Sequence, residues 1–165
     1  MTAVRTLLTV LVAAALIGAS LPAVDEARAD RTGARLDAAA TRLSDTAAAL
    51  VASDDPVPLG ERGASRTVVV TLPHAGVADA RAAYLSIGGL PNASAPSAVG
   101  YRVADRPPRQ VDAGVTFRTG ADPLVLAPGR HTLRLTLVRT ATGVAVCVRP
   151  VSRRTGPATR SAVGR

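Results

Sequence analysis

Residues 128–148 read PGRHTLRLTLVRTATGVAVCV, and this stretch decides the fold. Leu133, Leu135 and Leu137 alternate with Arg134 and Thr136. Val144, Val146 and Val148 alternate with Ala145, Cys147 and Arg149. A period of two belongs to a strand with one apolar and one polar face. Pro128-Gly129 makes a turn before the first strand, and Thr140-Ala-Thr-Gly143 makes one between the two.

The same period recurs towards the amino end. Thr67-Val-Val-Val-Thr-Leu72 sets Val68, Val70 and Leu72 on one face. Tyr84–Ile87 reads as a second strand, stopped by Gly88-Gly89. Val99, Tyr101 and Val103 align in a third, Val115 and Phe117 mark a fourth, and Pro123–Leu126 is a short fifth. Short strands at this spacing, separated by turn residues, predict a sandwich. Residues 65–151 are therefore expected to form a small immunoglobulin-like antiparallel β-sandwich, its length of about 85 residues matching such domains. Pro107-Pro108 excludes a central strand at that point.

Before the sandwich, residues 54–64 carry two prolines and two glycines and read as a linker. Residues 25–53 read as an amphipathic stalk helix. Leu36, Leu43 and Leu50 recur every seven residues, with Ala29, Ala40 and Ala47 between them on the same stripe. That period suits a narrow seam. Two partners are open to it: a helix of another protein, with these leucines as contacts, or the chain's own domain. Gly33 weakens the helix, and Pro22 is placed to kink its start.

Thr6 to Val24 is nineteen residues without a charge. A hydrocarbon core of about 30 Å needs roughly 20 apolar residues in a helix. One reading is a transmembrane helix, with residues 1–5 a short cytoplasmic start and the rest outside. Arg5 before the run and Asp25-Glu26 after it favour that orientation. The other is a signal peptide cut after Ser20, with Gly18 and Ser20 as the small residues of the site. The uncleaved anchor is preferred, because the next residues read as a helix continuing outwards.

All 20 basic residues are arginine, which fits the codon usage of a GC-rich genome as well as function. The charge is uneven. Asp25–Asp55 holds four arginines against seven acids, and Pro56–Arg165 fifteen against five. A basic outer domain suits anionic ligands, with Arg102, Arg134 and Arg149 as candidate contacts. Nucleic acid is the least supported partner, since Tyr84, Tyr101 and Phe117 are the only aromatic residues and offer no stacking platform. Residues 152–165 have four arginines, no acid and little apolar content, so a disordered basic tail is expected.

The catalytic inventory is sparse. His74 and His131 fall in different elements, with no HxH or HExxH spacing. There is no GxSxG serine and no phosphate loop, and Glu61, Asp79, Asp105, Asp112 and Asp122 are dispersed. The expectation is no enzyme, no catalytic or metal residues and no cofactor. Cys147 is the single cysteine, so no intramolecular disulfide forms. Asn92-Ala-Ser94 is a candidate glycosylation sequon.

Three stretches carry a resemblance. Leu21–Arg31 follows the apolar run, Arg66-Thr-Val-Val-Val-Thr-Leu-Pro73 opens the strands, and Pro128–Arg139 comes near the end. Together they resemble an uncharacterised haloarchaeal family of short, amino-terminally anchored extracytoplasmic proteins, encoded near type IV pilus-like or secretion machinery. The resemblance implies a non-enzymatic structural or accessory part of an envelope assembly. Pilins also join an apolar helix to a β domain, but a pilin-type site would place Glu inside the apolar run, and Thr6–Val24 has none. The alternative is a secreted β-sandwich module that binds an anionic ligand.

Overall fold

The computed structural model describes residues 2–61 and 63–151. The expected basic tail, 152–165, lies outside the described residues.

One helix, α1, runs unbroken from Thr2 to Ser53, through Pro22. Its 52 residues span roughly 78 Å at 1.5 Å per residue. The two expected segments, 6–24 and 25–53, are one rod, and they differ in burial. From Val4 to Val24 every large apolar side chain is at least 44% exposed. These residues point to all sides, so this half has no polar face to turn to water. From Ala29 onward a single stripe is buried: Ala29, Thr32, Leu36, Ala40, Leu43, Ser44, Ala47 and Leu50. Steps of three and four keep these positions on one face of a helix.

Among the described residues nine strands follow. They are β1 (Val57–Pro58), β2 (Ser65–Leu72), β3 (Ala82–Leu90), β4 (Ala93–Val103), β5 (Arg109–Asp112), β6 (Phe117–Arg118), β7 (Leu124–Leu126), β8 (Gly129–Thr140) and β9 (Gly143–Pro150). One sheet has the order β1-β8-β9-β6, with β2 also on β8. The other has the order β5-β4-β3-β7. The fold is mainly β behind a helix, as expected, but the first sheet is mixed: β1 lies parallel to β8, and β6 parallel to β9. Two strands were not anticipated. The linker contributes β1, and β5 begins just after Pro107-Pro108, at the sheet edge that prolines tolerate.

The hairpin β8–β9 closes through Ala141-Thr142, with Thr140 opposite Gly143. Gly143 has φ of 128°, which a residue with a Cβ rarely adopts. The hairpin β3–β4 turns at Pro91-Asn92, with Leu90 opposite Ala93. Gly89, at φ of 120°, lies so close to the returning chain that a Cβ would overlap the Ala93 carbonyl oxygen and the Ala95 nitrogen.

The helix is part of the domain. It packs on β2, β8 and β9 of one sheet and on β3, β4 and β5 of the other. Leu36, Leu43 and Leu50, all at 0% exposure, join one core with Val70, Leu85, Val99, Leu135 and Val146. The three leucines are therefore not a seam for another protein's helix. A stripe of Leu with small Ala between it fits the chain's own sheets, because Ala lets the helix backbone approach closely. Tyr101 ties β4 to the helix, donating from its hydroxyl to Asp37 at 3.2 Å. Burial, then the neighbouring Asp37 carboxylate, raises the Tyr101 pKa.

Candidate functional site

Two surfaces stand apart from the packed core. The first is the apolar half of α1. Its most apolar stretch has a mean hydropathy of 2.3 and none of it is buried. By length and composition it can cross a membrane, and the same features fit a signal sequence.

The second lies on the outer face of the first sheet. Leu133, Leu135 and Leu137 point inward and are buried, so Arg134 and Thr136 point outward. In β9, Val146 and Val148 point inward, leaving Cys147 and Arg149 outside. The register then sets rows across three strands. Thr67, Arg134 and Arg149 stand side by side, and so do Ser65, Thr136 and Cys147. Leu59, Gly60, Glu61 and Gly63 wall this face into an open groove of about 560 Å³. Arg134 and Arg149 are exposed, and neither forms a salt bridge among the described residues.

Like charges directly opposite on a sheet repel. An oxyanion between the two guanidiniums would remove that repulsion and accept paired hydrogen bonds from them. The hydroxyls of Ser65 and Thr136 add short donors in the next row, and Glu61 is the one acid among the described residues of the groove wall.

The third arginine named from sequence, Arg102, is not part of this site. It lies on β4 in the other sheet, with its guanidinium 3.9 Å from Asp105 and bonded to the Ala104 carbonyl at 3.1 Å. Asn92 is exposed in the tight turn between β3 and β4. Cys147 is half-buried in the groove floor. His131 sets its Nε2 2.8 Å from the Ala127 carbonyl, and His74 is exposed in the loop after β2. Among the described residues no three His, Cys, Asp or Glu side chains gather as a metal site would need. Sequence reasoning missed Ser65, Thr136 and the groove wall. The signal was in the hairpin turn: a two-residue turn that pairs Thr140 with Gly143 also pairs Arg134 with Arg149 and Thr136 with Cys147.

Residues 3–151 match a family model described as Domain of unknown function (DUF7311). Neither the curated proteins nor the solved structures give a match.

Proposed function

The chain belongs to this uncharacterised family, across a span that takes in the apolar half of α1 as well as the sandwich, and we propose that it is a non-enzymatic, membrane-anchored extracytoplasmic protein. Residues 6–24 cross the membrane once, with the amino end in the cytoplasm and the sandwich outside. It serves as a structural or accessory component of a cell-envelope assembly of pilus-like or secretion type. The observation that carries this reading is the unbroken rod. Half of α1 is bare and apolar, and the other half is core of the outer domain, so force or position at one end is transmitted to the other. A cut after Ser20 would leave Leu21–Ala27 as an exposed overhang before the first buried residue, Ala29. The resemblance to a haloarchaeal family encoded beside type IV pilus-like machinery points the same way. Contacts with assembly partners fall to the apolar half, because Leu36, Leu43 and Leu50 are occupied.

The test is the intact mass and amino-terminal sequence of native protein from membrane and medium fractions. The anchored reading expects an uncleaved chain in the membrane, with any added mass on the Asn92 peptide reporting an outward sandwich. A chain beginning at Leu21 in the medium overturns it.

The opposed Arg134 and Arg149 favour a second reading, a module that binds an anionic ligand. It expects retention on a sulfated dextran matrix that weakens steeply with salt. The paired substitutions Arg134→Gln and Arg149→Gln should lower the eluting salt concentration, whereas Arg102→Gln should not. Equal elution of all variants sinks it.

A further inference from the structure

The loop between β2 and β3 is held against the helix at a fixed height. Arg28 donates from Nε to the Val77 carbonyl at 2.8 Å, and Thr32 donates from its hydroxyl to the Ala80 carbonyl at 3.1 Å. Arg35 pairs with Asp79 at 2.6 Å. Positions 28, 32 and 35 fall on one helix face, so the three side chains hold the loop one turn after another. Within the loop, the Gly76 amide donates to the Asp79 carbonyl at 3.0 Å, and the Ala82 amide to the Pro73 carbonyl at 3.2 Å. The loop between β4 and β5 holds the helix beside it. Arg106 reaches the Asp30 carboxylate and the Glu26 carbonyl, and Ala104, at φ of 44°, donates its amide to the Arg81 carbonyl at 2.8 Å. A non-glycine residue in that region is strained and is kept there only by its surroundings.

The bond of this collar nearest the bare half of the helix, Arg28 to Val77, is made at an apolar tip. Ala75, Gly76, Val77 and Ala78 are all exposed and uncharged, and Val77 is 90% exposed, the most of any large apolar side chain described. Arg28 lies four positions beyond Val24, a rise of roughly 6 Å. The polar layer on each side of a bilayer is about 5–8 Å thick, from total and hydrocarbon thicknesses of roughly 40–45 and 30 Å. If the hydrocarbon ends at Val24, the Arg28 clamp places the tip within the headgroup layer.

We propose that residues 75–78 are a membrane-surface docking loop, with the Val77 side chain seated in the lipid headgroup–acyl boundary beside the helix exit. This rests on the anchored reading of α1. The occupant is the lipid surface because the Arg28–Val77 hydrogen bond fixes this uncharged, exposed tip one helical turn beyond the end of the apolar run. The loop at the opposite end of the sandwich, Ala141-Thr142, is the contrast: β8 begins opposite Leu72 near the collar and carries this turn away from it.

The experiment uses the full chain with Cys147→Ser, in vesicles of three parts phosphatidylcholine to one part phosphatidylglycerol. Single cysteines from Leu11→Cys, Val77→Cys and Ala141→Cys carry an environment-sensitive fluorophore, and nitroxide-bearing lipids serve as quenchers. A deep nitroxide should quench the label at 11. A shallow nitroxide should quench the label at 77 at least two-fold, and leave the label at 141 unchanged. Quenching at 11 without quenching at 77 overturns the docking loop and leaves the anchor standing. No quenching at 11 overturns both. Equal quenching at 77 and 141 means general adsorption and also overturns it. A shielded label at 77 that ignores nitroxide lipids, and stays shielded in detergent micelles, would seat a second copy on the loop instead.

Discussion

Leu43→Ala tests whether the second half of α1 belongs to the sandwich core. Leu43 has no solvent exposure. Removing three carbons forfeits about 2.4 kcal/mol at roughly 0.8 kcal/mol per buried carbon. A cavity term adds to this where neighbours cannot close in, and Leu→Ala changes then cost about 2.7–5 kcal/mol. The neighbours on the stripe are Ala40 and Ala47, both fully buried and both single methyls, so neither can swing across the gap. The expected loss is therefore about 4 kcal/mol. At about 3–4 °C per kcal/mol for a domain of this size, the melting temperature should fall by about 12–16 °C. The assay is thermal unfolding of the full chain in detergent micelles, followed by far-ultraviolet circular dichroism in the strand region. Leu11→Ala is the contrast. Leu11 is 64% exposed and touches none of the core, so domain melting should be unchanged within about 0.5 kcal/mol. A loss below about 1 kcal/mol for Leu43→Ala, accompanied by loss of a co-purifying partner, would refute the packing argument and return the leucines to an intermolecular seam.

Gly33→Ala should stabilise the chain by up to about 1 kcal/mol, since a helical glycine is replaced where the added Cβ meets nothing within 4 Å; a lower midpoint in urea would contradict this. Gly89→Ala should destabilise by more than about 3 kcal/mol, because the new Cβ overlaps backbone that cannot swing away; soluble, normally melting protein would count against the hairpin geometry. Tyr101 binds its proton more tightly in the folded chain than in the unfolded one. Its contribution is therefore complete below the unfolded value of 10.0 and is lost as pH rises through the higher folded value. Alkaline unfolding should thus come at higher pH in Tyr101→Phe, measured against each variant's stability at pH 8.

The sequence alone determined the helix and seven of the strands, but not β1 or β5. Alternation of Leu and Val with polar residues fixed β8, β9 and β2, because a strand with one wet and one dry face writes that period directly into its residues. The apolar run to Val24 and the seven-residue Leu repeat fixed a helix with two unlike halves. Local chemistry also marked Arg134 as outward-facing. What it left open was the partner of each face, since periodicity reveals that a stripe is buried and not against what. Only the tertiary structure showed that Leu36, Leu43 and Leu50 belong to their own sandwich, that two-residue β1 gains its partner from the far end of the chain, and that Arg102 stands apart from Arg134 and Arg149. The collar at Arg28, Thr32 and Arg35 was equally out of reach. Its bonds join residues more than forty positions apart, and no local pattern encodes a contact that exists only after the sheets have closed on the helix.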